Sequence, residues 1–158
     1  MATRARDLMQ SPVVTIERDA TLLDAHRLLV EEQIHGAPVV DSDGVVVGVL
    51  SSLDLLRVAE EEHESARGEA VYYRDVVPYS GPDWGSTVED FQDRLSALRV
   101  SDAMSESVVC VPPDATVAQV ARTLRENGIH RVLVAEKDAL LGILTAFDLL
   151  KLVERLDL

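Results

Sequence analysis

The sequence predicts an α/β fold made of two pseudo-symmetric β-α-β-β-α units. Three observations point there. One pattern occurs twice, over residues 7–56 and 102–150, with the second copy 95 positions after the first. Within each copy, short apolar runs alternate with an amphipathic helical stretch. The chain has 158 residues, and a repeat of roughly 50 residues is marginal as an independent core, so the halves are expected to fold against each other.

The repetition extends to polar residues. Asp7-Leu8-Met9 returns as Asp102-Ala103-Met104, Asp19-Ala20-Thr21 as Asp114-Ala115-Thr116, and Ile34-His35 as Ile129-His130. Gly48-Val49-Leu50-Ser51, closing on Asp54-Leu55-Leu56, returns as Gly142-Ile143-Leu144-Thr145, closing on Asp148-Leu149-Leu150. The offset drops to 94 only across a turn, where Asp41-Ser42-Asp43-Gly44 faces Glu136-Lys137-Asp138. A repeat that keeps its polar residues implies two related sites as well as a repeated core.

Each copy opens on a short turn and a β-like run, Val13–Ile16 or Val108–Val111. A helix follows. Thr21 with Asp24, and Thr116 with Gln119, have capping-box spacing. Leu22, Ala25, Leu28 and Leu29 face inward in the first helix. In the second, Val117, Val120, Ala121 and Leu124 recur at i, i+3, i+4, i+7 as one buried stripe. Asn127-Gly128 stops the second helix through a left-handed residue, whereas Gln33 stands at that place in the first. Two apolar runs joined by a turn come next, Ala37–Val40 with Val45–Leu50, and Val132–Val134 with Leu140–Leu144. They read as hairpins in a sheet covered on both faces. A closing helix starts near Ser51 or Thr145.

The predicted organisation is a first unit at 1–60, an insertion at 61–100 with a helix at 87–99, and a second unit at 101–158. The insertion opens in an acidic run, Glu60-Glu61-Glu62-His63-Glu64, and carries turn formers Pro78, Gly81, Pro82 and Gly85. Val88, Phe91, Leu95 and Leu98 then recur at helical spacing behind Thr87, a cap. Tyr72, Tyr73, Tyr79, Trp84 and Phe91 lie here, and only Phe147 among the aromatics lies elsewhere. A disordered linker is poor in aromatics, so the segment is expected to pack on something.

A net charge of −13, with lysine only at Lys137 and Lys151, argues against a broad nucleic-acid surface. It does not exclude a small anionic ligand, which needs only a few local donors. No apolar run is long enough for a membrane span and no signal peptide is visible, so a cytoplasmic, membrane-free protein is expected. Cys110 is the sole cysteine; in an apolar strand it reads as buried and inert. The four histidines make no metal signature, and no nucleophilic triad or phosphate-binding glycine loop appears, so no catalytic residue and no metal site is assigned.

Ser51-x-x-Asp54 and Thr145-x-x-Asp148 stand at helix starts. Their spacing is that of a capping box, and Thr21–Asp24 shows the same spacing with no claim to a ligand. A ligand role is the competing reading, since a carboxylate can accept two hydrogen bonds from a vicinal diol.

Together, Ile34–Asp41 with Gly48–Asp54 and Ile129–Val134 with Gly142–Asp148 resemble a tandem of CBS domains, the regulatory pair also called a Bateman module. The resemblance covers about 100 residues, all but the insertion and the termini. It implies a stand-alone pair whose two units pack through their sheets and bind adenine nucleotides (AMP, ADP or ATP) in clefts between them, without turnover. It also implies a homodimer, no tightly bound cofactor, and an unidentified protein partner that reads the ligand state in trans. Ser51, Asp54, Thr145 and Asp148 would then hold ribose or phosphate, with His35, His130 and Arg131 as phosphate donors. Thr15, Ile16, Pro38, Cys110 and Val111 would line the adenine pockets. Each site would join the Asp of one copy to the His segment of the other. The pairing of Asp54 with His130 and Arg131 is the better equipped, because the first copy has Gly36 where the second has Arg131. The second copy also lacks the proline of the first, with Leu133 at the place of Pro38. Arg4, Arg6, Arg57 and Lys151 read as solvated surface residues or extra donors. The competing function is a non-catalytic interaction protein with vestigial clefts, docking a partner through the aromatic insertion. That insertion resembles the one in plant chloroplast CBS-pair proteins, which implies a link to thioredoxin regulation.

Overall fold

A computed structural model of the chain describes residues 2–59, 71–73 and 88–156. The acidic run from Glu60, the turn formers Pro78 to Gly85, Tyr79, Trp84 and the Thr87 cap lie outside the described residues. The chain divides into two compact units. One is Val14–Ser107; the other joins Met1–Val13 to Val108–Leu158. The leading turn of each repeat is thus built into the unit of the other repeat.

In the first unit, β1 (Ile16–Glu17) pairs parallel with β2 (Gly36–Val40), which pairs antiparallel with β3 (Val46–Ser51). The second unit repeats this with β4 (Cys110–Val111), β5 (Arg131–Glu136) and β6 (Ala139–Thr145). Each three-stranded sheet is therefore mixed. Each hairpin carries one register shift at the same place, between Val39 and Val40 and between Val134 and Ala135. The leading strands are only two residues long, shorter than the apolar runs suggest, because only those residues are in register with β2 and β5.

Helix α2 (Leu22–Glu32) and helix α6 (Val117–Asn127) connect the first two strands of each sheet. Thr21 Oγ1 accepts the Asp24 N–H at 3.1 Å, and Thr116 and Gln119 cap reciprocally. Leu22, Ala25 and Leu29 are buried against Ile16, Ala37, Val39 and Leu50. In α6, Val120 and Leu124 are buried and Val117 is half-buried. Ala121, expected in the same stripe, is exposed, since it lies at the margin of the arc that faces the sheet. Gln33 ends α2 in the left-handed conformation, φ 55°, where α6 uses Gly128 at φ 61°. Helices α3 (Ser52–Ala59) and α7 (Ala146–Glu154) follow β3 and β6 without a loop. The insertion supplies a 3₁₀ turn, Val71–Tyr73, and helix α4 (Val88–Ala97), with His26 of α2 edge-on to Phe91 at 6.0 Å. Among the described residues, no helix is long and apolar enough to cross a membrane.

The short helices α1 (Ala5–Leu8) and α5 (Val100–Ala103) are the repeated leading turns. Within the first unit, Val100 N–H donates to Ala20 O at 2.8 Å and Ser101 N–H to Arg18 O at 3.0 Å. Within the second, Ala5 N–H donates to Ala115 O at 2.9 Å and Arg6 N–H to Pro113 O at 3.0 Å. Arg99 reaches Asp19 O at 2.9 Å and Arg4 reaches Asp114 O at 3.2 Å. The repeated Asp-Ala-Thr is thus the dock for a leading turn. Past each turn the chain runs along the outer strand. Val49 exchanges both backbone hydrogen bonds with Ser105, at 2.8 and 2.9 Å, and Ile143 does so with Gln10, at 2.8 and 3.0 Å. The repeated strand glycines make room for this. A Cβ on Gly48 would lie 2.4 Å from Ser105 O, and one on Gly142 would lie 2.6 Å from Met9 Sδ and 2.9 Å from Gln10 O.

Candidate functional site

The antiparallel hairpin of each unit sets the first residue of its leading strand against the last residue of the next. Gly36 therefore faces Ser51, and Arg131 faces Thr145. The residue before each strand closes onto the helix start, with Ser52 N–H donating to His35 O at 2.8 Å and Ala146 N–H to His130 O at 2.9 Å. Each repeat thereby gathers its own His segment and its own Ser/Thr-x-x-Asp at one corner. Within the second repeat, hairpin register seats His130 and Arg131 beside Thr145; the expected joining of Asp54 with His130 and Arg131 is a pairing across repeats. Both imidazoles are exposed, and Arg131 is half-buried.

The two corners share a cap and differ in the second carboxylate oxygen. In the first, Asp54 Oδ2 accepts the Ser51 N–H at 2.8 Å and the Ser51 hydroxyl at 3.0 Å, and Ser51 is buried. Asp54 Oδ1 has no hydrogen-bond partner among the described residues. Burial pushes the Asp54 carboxyl above the ordinary carboxylate value, against the two Ser51 hydrogen bonds and the nearby Arg57. In the second, Asp148 Oδ2 accepts the Thr145 N–H at 2.9 Å and its hydroxyl at 3.2 Å. Oδ1 accepts Lys151 Nζ at 2.9 Å and Gln10 Nε2 at 3.1 Å. Asp148 is 1% exposed. Burial alone would raise its pKa; the Thr145 N–H, Lys151 and Gln10 outweigh that and hold it below the ordinary value. The capping reading of both motifs is therefore realised in the geometry, and it leaves Asp54 one open oxygen.

The remaining expected site residues fall as follows. Thr15 is half-buried ahead of β1, Ile16 belongs to the helix-packed core, and Pro38 and Val111 are buried in their strands. Cys110, expected to be buried, is exposed; in a two-residue edge strand its neighbour Val111 takes the inward face and leaves the thiol outward. It lines a groove of about 300 Å³ with Pro112, Ala115, Gln119, Arg122 and Thr123. Arg4 and Arg6 are engaged by Asp114, through its carbonyl and its carboxylate respectively. Lys151, read as a solvated residue, is the partner of Asp148. Gln10 was not legible as part of this corner, because it arrives on the leading segment of the other repeat. The recurring strand glycines were the available signal of such a close backbone approach.

This twofold plan has a counterpart among known proteins, for a model of the CBS domain matches residues 5–61 and 100–155. The chain belongs to the CBS-domain family. It is a tandem CBS pair, similar to an uncharacterised protein of Methanocaldococcus jannaschii, with 30% identity over 92% of this chain and 88% of that one. It is also similar to the chloroplastic CBS-domain protein CBSX2 of Arabidopsis thaliana, with 32% identity over 77% of this chain and half of the relative. The crystal structure of CBSX2 in complex with AMP superposes with a TM-score of 0.66 at 23% identity, covering 98% of both chains. The CBS domain pair of protein MJ0100, in complex with 5′-methylthioadenosine and S-adenosyl-L-methionine, superposes with a TM-score of 0.66 at 18% identity, covering 99% of this chain and all of that one.

Proposed function

We propose that this CBS pair is a regulatory protein that binds an adenosine-containing ligand without turning it over, and that the second-repeat corner takes a phosphorylated one. The observation that carries this is the in-register placement of Arg131 against Thr145, with Lys151 on Asp148. A guanidinium and an ammonium beside a helix start suit a phosphate, and a carboxylate suits a ribose diol. Lys151 and Gln10 hold the Asp148 oxygen that ribose would use. A ligand that frees Lys151 for its phosphate exposes that oxygen at the same time. The AMP and adenosyl complexes of structural neighbours support the ligand class. His130 would add a phosphate contact, and Val111 and Cys110 would border the base.

The test is thermal unfolding against AMP, ADP, ATP, S-adenosylmethionine and GTP, with Asp148→Asn, Arg131→Ala and Asp54→Asn alongside. A ligand at about 100 times its dissociation constant stabilises by ~2.7 kcal/mol. A selective adenine-nucleotide shift, lost in Asp148→Asn and Arg131→Ala, is expected. No shift with any ligand in the folded wild-type protein would overturn the proposal.

A second reading, an interaction protein, is favoured by a different observation. Phe147, Leu150 and Val153 repeat every third residue along α7, and they are 71%, 52% and 51% exposed. Such a stripe marks an association surface, and homodimerisation is the form of it we propose. Sedimentation of Phe147→Glu should then show a monomer where the parent protein is a dimer.

A further inference from the structure

The leading segment, residues 4–10, is fixed to the second-repeat unit in three ways. At its start Ala5 and Arg6 donate to Ala115 O and Pro113 O, and Arg6 pairs with the Asp114 carboxylate. At its end Gln10 exchanges two backbone hydrogen bonds with Ile143, and Met9 Sδ lies against Gly142. The third fixing is a side chain: Gln10 Nε2 donates to Asp148 Oδ1 at 3.1 Å and to Oδ2 at 3.3 Å. The fold does not require that third contact. Residues 99–105 dock on the first-repeat unit through the same backbone pattern, but there Ser105 stands in place of Gln10, and its hydroxyl accepts the Ser107 N–H at 3.4 Å.

A count of acceptors shows what the extra contact does. A carboxylate offers about four lone-pair sites. Thr145 fills two of those on Asp148 with its N–H and hydroxyl, and Lys151 and Gln10 fill the rest, leaving the residue 1% exposed. A diol needs two acceptors, so release of Lys151 alone does not admit it, and Gln10 must leave as well. Gln10 itself is exposed, so nothing packed over it holds it in place.

We propose that Gln10 is an intramolecular latch: it occupies an Asp148 acceptor that a bound ligand needs, and its displacement loosens the leading segment. The latch regulates the second-repeat corner and takes its ligand class from the adenosine-binding reading. Gln10, Asp148 and Ile143 lie in one compact unit, and the chain leaves that unit soon after Gln10, at Val14. Coupling of this kind is reciprocal: a ligand that opens the latch binds more tightly where the latch is already open. A Gln10 that only steadied Asp148 would act the other way, and its removal would weaken binding or leave it unchanged.

The experiment compares the full chain with Gln10→Ala, and with Gln10→Ser, which copies the first repeat, by amide hydrogen exchange and by calorimetric titration with AMP. Without ligand, the Ile143 amide, bonded to Gln10 O, should exchange about tenfold faster in both variants, as the loss of a hydrogen bond to a charged group implies. The Val49 amide, bonded to Ser105 O, should be unchanged. With the latch closed about ten to one in the parent protein, both variants should bind AMP about tenfold more tightly, and AMP added to the parent protein should speed exchange at Ile143. Unchanged Ile143 exchange in the ligand-free variants overturns the proposal, as does AMP binding that is equal or weaker in them. Were no protein of the set to bind AMP while the ligand-free exchange result held, the adenosine reading would fall and the hold of Gln10 on the leading segment through Asp148 would stand.

Discussion

Lys151 Nζ sits 2.9 Å from Asp148 Oδ1, whereas Arg57, at the matching place in the first repeat, makes no hydrogen bond to Asp54. The repeats thus hold the same capping carboxylate in two electrostatic states. Asp148→Asn should cost about 1.5–3 kcal/mol, the range for hydrogen bonds to a charged group, with the exposed end of Lys151 keeping it toward the lower figure. Asp54→Asn should cost no more than about 1 kcal/mol, since asparagine still caps and a partly desolvated charge is removed. Urea unfolding of the two variants measures both. A larger loss for Asp54→Asn would contradict the assignment.

The acid limb of stability should separate the same two residues. Asp148 has a lowered folded pKa, so its contribution is present above the unfolded carboxylate value and is lost as pH falls through the folded one. Asp54 has a raised folded pKa, so it favours the folded state below the unfolded value, and that benefit disappears as pH rises through the folded one. Unfolding free energy followed from neutral pH downward should therefore fall less steeply in Asp148→Asn than in the parent protein, and more steeply in Asp54→Asn. Parallel curves for all three proteins would refute the assigned directions.

Arg131→Ala should weaken AMP binding by about 1.5–3 kcal/mol, roughly ten- to a hundredfold, and adenosine binding far less. A guanidinium that touches the ligand at its phosphate contributes little to binding a ligand without one. Equal losses for AMP and adenosine would mean that Arg131 shapes the corner instead of contacting the charge.

The pattern of apolar runs, caps and turn residues made the two mixed sheets legible, because those signals are local. The corner was harder to read for two physical reasons. That Arg131 faces Thr145 is set by hairpin register, which neither motif spells out. Gln10 reaches Asp148 only because the leading turns are exchanged between the repeats, and chain order carries no trace of that exchange. Tyr72 was legible as an aromatic that must pack somewhere; its seat on Gly36 depends on the course of the insertion. Cys110 failed as a buried residue because an edge strand of two residues has one inward side chain.

Gly48 and Gly142 test the exchanged leading segments. Gly48→Ala would press a Cβ against Ser105 O, a backbone atom that accepts the Val49 N–H; Gly142→Ala first meets the flexible Met9 side chain. Overpacking of this kind costs about 1–3 kcal/mol. Gly48→Ala should stand at the upper end, and Gly142→Ala should be partly rescued by Met9→Ala. Hydrogen exchange at Val49 and Ile143 reports whether the bridges to Ser105 and Gln10 open. Wild-type protection in both glycine variants would show that the leading segments tolerate the added carbon.

Gln33 bears a strain that its counterpart avoids. Its backbone is left-handed at φ 55°, and the equivalent residue, Gly128, takes φ 61° without a Cβ. The left-handed conformation costs roughly 1–2 kcal/mol for an ordinary L-residue, while glycine adopts it freely at the expense of a more flexible unfolded chain. The Gln33 side chain is exposed, so no packing is lost on removing it. Gln33→Gly should therefore raise unfolding free energy by about 0.5–1 kcal/mol, the strain relieved less the added unfolded-state entropy, with ligand binding unchanged. Gly128→Gln should lower stability by a similar amount. If both substitutions destabilise, the Gln33 side chain contributes an interaction that its exposed position does not reveal.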